Sequence, residues 1–412
     1  MSEFAMMLPA NIALVIERLN TEGYKAYAVG GCVRDAMRGV SPHDYDITTS
    51  ALPQQVKAVF SDRQVIETGI SHGTVTVLMD GAPVEITTFR VDGEYLDNRH
   101  PAGVQFTARI EDDLSRRDFT VNAMAYSPTE GLVDLFGGAE HLRQRVIACV
   151  GDADTRFNED GLRILRALRF AAVLDFSIAE DTAHAIHRNR SLLKGISRER
   201  IHAELCRLLC GCAAGAVVRQ YSDVLCTIIP ALEDCTRWEI IADALPHAPA
   251  DAPLRYALLL HQLGEDNAKE ALRSLRADNR TCAQASRLVG ALYDDFIPTR
   301  TFARTLARRL GYDDAHSLLA LHRALSLADT SADFRDRLSA LDALEGYLEE
   351  SERAGDCVTV AALAVDGRDI AALGLSGKDI GNTLERLLTL VIEDRVANER
   401  EALLSIVKSF VQ

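Results

Sequence analysis

The chain has 412 residues, with 45 Lys and Arg against 60 Asp and Glu, for a formal charge of −15. Apolar residues make up 48% and charged residues 25%, which excludes a disordered or fibrous chain and leaves room for roughly two to four domains with cores of their own. The acidic balance argues against indiscriminate coating of nucleic acid but leaves room for a nucleic-acid partner on a local basic strip, and no apolar run approaches the ~18 residues of a membrane span.

Ile12, Val15, Ile16 and Leu19 fall at helical spacing and predict an amphipathic helix over 9–22 rather than a signal peptide. A strand is expected at Ala26–Val29, ending in Gly30-Gly31, then a helix over 32–38 and a second strand over 45–48. Apolar alternation over 75–79 and 84–89 around Asp80-Gly81 is a hairpin signal. The head is therefore expected to be α/β with a mostly antiparallel sheet. From about residue 152 the strand signals stop, and helices are expected over 159–174, 180–190, 198–210, 253–264, 268–277, 301–310, 313–328, 333–353 and 380–395. Pro230, Pro246, Pro249 and Pro253 punctuate one stretch of boundaries. The nine cysteines form no CxxC pair, which points to reduced thiols and a cytoplasmic protein.

The chemistry concentrates in His43-Asp44-Tyr45-Asp46-Ile47. On a strand, Asp44 and Asp46 share a face, and a divalent cation offsets their mutual repulsion. Mg2+ prefers oxygen donors and shares them with substrate phosphates. Glu85, on the hairpin strand, is a third acid that can join or support the site. A lone DxD is more often the pattern of a solvated acidic turn. Upstream, Gly30 and Gly31 followed by a helix start let backbone N–H groups approach an anion, and Arg34 adds a charge-assisted contact. A plain tight turn would use the same glycines. Neither a Walker loop nor GxGxxG is present. An anion cradle beside a metal-binding acid pair describes nucleotidyl transfer.

Seven stretches, VGGCVRD (29–35), HDYDITTSA (43–51), the 72–101 segment, DLSRRDFTVNAMAYSP (113–128), GLVDLFGG (131–138), RFNEDGLRILRALRF (156–170) and SRERIHAELCRLL (197–209), resemble the bacterial CCA-adding tRNA nucleotidyltransferases and their poly(A) polymerase relatives. The resemblance implies an α+β chain: a polymerase-β-type nucleotidyltransferase head (1–150) with a small mixed or antiparallel sheet, then an all-α neck (151–212), body (213–330) and tail (331–412). It implies Mg2+ on Asp44 and Asp46, with Glu85 as a further catalytic acid. Gly30, Gly31, Arg34, Arg117, Asp118 and Asn122 would contact the nucleotide, and Asp134 looks like the hinge between head and neck. Arg117 and Asp118 would equally suit a surface ion pair.

Asp160 and Arg163 resemble the family's protein template. At i and i+3 they share a helix face, so the carboxylate would accept from the amine of cytosine or adenine while the guanidinium donates to the ring. Uracil and guanine present a carbonyl there instead, at a cost of ~1–3 kcal/mol. Arg166 and Arg169 continue the row toward phosphate or the far edge of the base. The same pair on an unrelated helix would be an exposed ion pair worth under ~1 kcal/mol. Gly161 inside that helix costs up to ~1 kcal/mol and would serve either a close backbone approach or local mobility.

Two further features bear on function. In 258–264, Gln262 follows His261 where relatives carry the acid of an HD phosphohydrolase pair, so no such activity is expected. Between 156 and 210 ten Arg and Lys face seven acids, a local +3 in an acidic chain, which makes the neck a plausible phosphate track. The 363–388 segment resembles the family's tail and implies a contact with the tRNA acceptor arm. The implied partners are the tRNA acceptor arm and 3′ end, with CTP and ATP as substrates, no membrane, and no signal of oligomeric state. The expected activity is Mg-dependent addition of C, C and A; an A-only enzyme, a poly(A) polymerase or an inactive tRNA-binding protein are the competitors. The 92–101 segment resembles the loop that CC-only relatives lack and argues against that variant.

Overall fold

The computed structural model describes residues 4–67, 69–93, 104–292, 297–329 and 334–411. From residue 94 the 92–101 loop lies outside them, as does residue 333 at the start of one expected helix. The chain divides into two compact units, Met1–Glu233 and Asp234–Gln412.

The first unit opens with α1 (Ala10–Thr21), which buries Ile12, Val15, Ile16 and Leu19 as their spacing predicts. β1 (Ala26–Val29) is buried at all four positions and is followed by α2 (Gly31–Met37) and β2 (Asp46–Thr49). α3 (Pro53–Val59) and the short β3 (Val65–Ile66) lead to a hairpin of β4 (Thr74–Met79) and β5 (Ala82–Thr88). Its turn residues Asp80 and Gly81 both have positive φ, 51° and 86°, the left-handed pair that matches a two-residue turn to strand twist. β6 (Arg90–Asp92) and β7 (Val104–Phe106) make a separate ribbon, and α4 (Ile110–Ser115), β8 (Met124–Ser127), β9 (Gly131–Asp134) and α5 (Gly138–Gln144) complete the head.

Seven strands form one sheet in the order β3-β4-β5-β2-β1-β8-β9. β2 runs parallel to β5 and every other neighbouring pair is antiparallel, so the sheet is mixed. Ile110 and Leu114 of α4 pack on Tyr27, Val29 and Phe89, which fixes α4 against the centre of the sheet.

Beyond the head, β10 (Val146–Ile147) precedes α6 (Ala153–Glu159), α7 (Leu162–Leu174) and β11 (Ser177–Ile178), and β10 and β11 pair in parallel. Strand therefore persists past residue 152, in a ladder too short to leave a periodic signal. The continuous helix expected over 159–174 is broken at Asp160-Gly161. Asp160 is extended (φ −141°, ψ 104°), and its Oδ1 accepts from the Leu162 N–H at 3.0 Å. A Cβ on Gly161 would lie 3.0 Å from Leu192 Cβ, so this glycine serves close approach. α8 (Glu180–Asn189), α9 (Arg198–Leu209), α10 (Ala214–Gln220) and α11 (Ser222–Ile228) finish the unit.

Every regular element described in the second unit is helical, including Ala252–Leu259, Asn279–Ala291, Arg300–Leu310, Tyr312–Ala328, Phe334–Ala354 and Lys378–Ile392. Asp251, Asp278 and Thr299 cap three of these helices by accepting from backbone N–H groups in the first turn. Ile370, Leu387, Leu388, Leu403 and Val407 form the core of the C-terminal part. Among the described residues no single helix is long and apolar enough to cross a membrane.

Candidate active site

The parallel register sets Ile47 opposite Ile86, so Asp46 and Glu85, one residue earlier on each strand, lie side by side on one sheet face. Asp44 precedes β2 rather than lying in it, so strand alternation does not place it. It reaches the same place through the lead-in to the strand: Asp44, Asp46 and Glu85 line one cleft of about 740 Å3, with Asn11, His43 and Tyr45 among its other walls. Desolvation by those walls pushes the Asp46 carboxyl above its ordinary pKa; the Arg117 guanidinium opposes the shift and the charge of Asp44 adds to it. Cys32, buried close by, is pushed up to about 11 by burial and by the Asp46 charge, and so stays an inert thiol.

Antiparallel pairing of Val29 with Asp46 puts Gly30 at this same end of the sheet. Gly30 has φ 78°, and a Cβ there would lie 3.0 Å from Arg117 Nη1. Its own N–H donates to the Met124 carbonyl at 3.0 Å, so its part is to make room rather than to donate to an anion. Arg34, buried one turn into α2, donates from Nε and Nη2 to both oxygens of Asp35 at 2.9 Å and from Nη1 to Asn122 Oδ1 at 2.7 Å.

Asn122 in turn donates to Asp118 Oδ1 at 3.2 Å. Asp118 Oδ2 accepts from Arg166 Nε at 3.0 Å and Nη2 at 2.6 Å. Burial alone would raise the Asp118 pKa, but Arg166 and the donors around it hold the carboxyl below the usual range. Arg169 donates to Glu204 at 2.5 Å, and Glu204 also lies 3.6 Å from Arg166. Phe170 is the common floor: its ring centroid lies 3.7 Å from the Arg169 guanidinium, 5.3 Å from that of Arg34 and 5.4 Å from that of Arg166. Arg117 Nη2 lies 3.4 Å from Asp113, while its buried Nε has no protein partner among the described residues.

The helix break leaves Asp160 outside α7, so helical spacing no longer sets it on one face with Arg163, although the Arg163 N–H still donates to the Asp160 carbonyl at 2.9 Å. Asp160 Oδ2 accepts from Arg200 Nη2 at 2.9 Å. Arg163, buried in α7, donates to Glu159, to the Arg156 carbonyl at 3.2 Å and to the Arg116 carbonyl at 3.0 Å. Asp134 accepts from the Gly138 and Ala139 N–H groups at 2.8 and 2.9 Å and so caps α5. The partners Asp35, Asp113, Arg200 and Glu204 and the Phe170 floor escaped the sequence reading. Asp113 alone left a signal, as an acid three and four residues before Arg116 and Arg117.

Among the described residues no three or more His, Cys, Asp or Glu side chains are arranged to hold a metal ion unaided. In the second unit, His261 is buried, with Nδ1 donating to the Leu258 carbonyl at 2.8 Å, and Gln262 accepts from the Thr236 N–H at 3.3 Å.

A family model described as the poly A polymerase head domain matches residues 26–148, and one for tRNA nucleotidyltransferase domain 2 matches 252–407. A third, described as "Probable RNA and SrmB- binding site of polymerase A", matches 175–232. The chain is 36% identical over 394 residues to the CCA-adding enzyme of Geobacillus thermodenitrificans, covering 94% of this chain and 93% of that protein. The chain belongs to the CCA-adding enzyme family. The Geobacillus stearothermophilus member is 37% identical over 398 residues, again with 94% and 93% covered. Among solved family structures, that of the Bacillus stearothermophilus CCA-adding enzyme in complex with CTP superposes with a TM-score of 0.79 at 31% identity, covering 98% of each chain. The Thermotoga maritima CCA-adding enzyme complexed with tRNA_CCA shares the fold, with a TM-score of 0.69 at 20% identity and full coverage of both chains.

Proposed function

We propose that this chain extends the 3′ end of tRNA by C, C and A, taking CMP from CTP and AMP from ATP, releasing diphosphate and using no nucleic-acid template. The observation that carries the reading is the cleft shared by Asp44, Asp46 and Glu85 at the sheet end where Gly30 makes room for Arg117, in a chain that matches CCA-adding enzymes over 94% of its length.

Asp44 and Asp46 present oxygen donors alone, and the charge of Asp44 adds to the desolvation that raises the Asp46 carboxyl, so the pair suits Mg2+ completed by phosphate oxygens. When bound, Mg2+ supplies Lewis acidity toward the α-phosphate and lowers the pKa of an attacking hydroxyl. Glu85, beside Asp46, adds negative charge to the same cleft. On the nucleotide side, Gly30 and Gly31 leave space, Arg34 and Arg117 neutralise triphosphate charge, and Asp118 with Asn122 meets the ribose. Asp160 and Arg163 read the base edge, with Arg166 and Arg169 behind them. Reading an exocyclic amine requires Asp160 Oδ2 to share or exchange its bond from Arg200.

In this reading the head spans 1–150, the neck 151–212, the body 213–330 and the tail 331–412, with the acceptor arm along the helical part. The thiols Cys32, Cys149, Cys282 and Cys357 are buried, which fits a reducing cytoplasm. His261 has no neighbouring acid in sequence to form an HD pair, and no metal-dependent phosphohydrolase activity is expected.

The test is sequencing of products from tRNA lacking its CCA end, incubated with Mg2+ and CTP, ATP or both. CC with CTP alone and CCA with both establishes the full activity. A single A confined to tRNA already ending in CC, or long A tails on any RNA, moves the assignment to the A-only enzyme or the poly(A) polymerase. No incorporation at all leaves a tRNA-binding protein.

A further inference from the structure

Asp113 has no part in the assignments above, yet its side chain is fully buried. It lies on α4 on the side that Ile110 and Leu114 anchor to the sheet. One carboxylate oxygen accepts from Arg116 Nε at 3.1 Å and Nη2 at 2.8 Å. The other accepts from Arg117 Nη2 at 3.4 Å and lies 3.2 Å from Thr48 Oγ1, whose single hydroxyl hydrogen it shares with the Thr87 carbonyl, also at 3.2 Å. Thr48 lies two residues after Asp46 on β2 and therefore on the same sheet face. The backbone of the strap 115–117 is gripped from its other side by the nucleotide-selecting helices: Arg156 donates to the Ser115 carbonyl and Arg163 to the Arg116 carbonyl, both at 3.0 Å.

We propose that Asp113 is a positioning residue that fixes the strap 115–117, and through it Arg117 on the triphosphate side and Arg163 on the base side, against the carboxylate edge of β2. The inference rests on the roles given above to Arg117 and Arg163. A carboxylate is required because two adjacent guanidinium groups, one on each oxygen, present donors only, and an anion with two acceptor oxygens satisfies both. An amide of the same shape offers one oxygen and turns an NH2 toward a guanidinium. Arg117 would then swing from Gly30, and the Arg116 carbonyl would drift from Arg163.

The experiment is steady-state CTP and ATP addition by the full chain carrying Asp113→Asn, Arg117→Gln or both, with UTP and GTP misincorporation and thermal melting measured alongside. For Asp113→Asn, KM for both nucleotides is expected to rise roughly tenfold, with kcat within about threefold and with more UTP incorporated. Because the KM effect runs through Arg117 and the selectivity effect through Arg163, the double variant should match the KM of Arg117→Gln within about twofold while keeping the extra UTP incorporation of Asp113→Asn. Multiplicative KM effects, or a lower melting temperature with unchanged KM and selectivity, would overturn the proposal. If Asp113→Asn does not fold, Thr48→Val removes one contact of the same carboxylate; a KM rise of roughly threefold that vanishes in the Arg117→Gln background supports the coupling, and no rise refutes it. Should Arg117→Gln alone leave KM unchanged, the assignment of Arg117 fails and the inference falls with it; a normal Arg117→Gln defect beside a silent Asp113→Asn sinks the inference alone.

Discussion

Asp118→Asn tests whether the lattice between head and neck rests on charge. The Asp118 carboxylate accepts from Arg166 at 3.0 and 2.6 Å, from Asn122 at 3.2 Å and from its neighbour's N–H at 2.8 Å. The side chain is 11% exposed and that of Arg166 is 33% exposed. Breaking a fully buried ion pair costs about 3–5 kcal/mol. Partial exposure of Arg166, and Glu204 at 3.6 Å as a second anion, reduce this to about 2–3 kcal/mol. For a cooperative unit of this size that is roughly 4–12 °C in Tm, readable by calorimetry. The native carboxyl titrates below its unfolded value, so the unfolded chain takes up the proton first. The stabilisation is therefore complete above about pH 4 and is lost as the pH falls through the native value, so the Tm gap between wild type and variant should be full at pH 7 and narrow only below about pH 4. A gap under about 1 °C at pH 7, or strict additivity with Arg166→Met, would show that the pair does not couple head to neck.

Three further outcomes are expected. Gly30→Ala puts a Cβ at φ 78° and 3.0 Å from Arg117 Nη1, so it should cost about 1–2 kcal/mol in a melt and raise KM for both CTP and ATP, whereas equal KM values would detach Gly30 from Arg117. Asp44→Ala should abolish transfer in a primer-extension assay while leaving tRNA affinity in a filter-binding assay within about threefold, as should removal of divalent metal by a chelator; residual transfer would move the metal site elsewhere. Arg163→Ala should change the incorporation ratios of CTP, ATP, UTP and GTP, and unchanged ratios would remove it from base selection.

Much of the head was legible because its signals are local. The Asp80-Gly81 turn, the buried AYAV strand and the helical spacing of Ile12, Val15, Ile16 and Leu19 each determine their element within a few residues. The break at Asp160-Gly161 was hidden for the opposite reason. A helical pattern with one glycine is only ~1 kcal/mol short of a continuous helix. Here the decision is made by Leu192 packing against Gly161 and by Arg200 on Asp160, contacts from residues 31 and 40 positions away in sequence. The acids that hold the arginines were hidden likewise: Glu204 meets Arg169 only once α9 packs on α7. Spacing on one helix could name the arginines but not their partners.

Those partners change what the site is electrostatically. Arg34 is paired with Asp35, Arg117 with Asp113, Arg163 with Glu159, Arg166 with Asp118, Arg169 with Glu204 and Arg200 with Asp160. On the proposed reading, the nucleotide side of this acidic chain is built from arginines whose charge is already largely compensated by carboxylates. Such a lattice gives up raw attraction for phosphate and gains fixed directions for its donors, which is the property that base selection without a nucleic-acid template needs. The donors left over are few and specific: Arg117 Nε and Arg200 Nη1 are buried without a protein partner among the described residues. One lies beside the strap on the triphosphate side and the other on the guanidinium that holds Asp160. On the proposed reading Asp160 meets the base edge while Arg200 holds it, so a substitution that frees Asp160, such as Arg200→Met, should alter the incorporation ratios of the four nucleotides as well as affinity, and unchanged ratios would remove the pair from base selection.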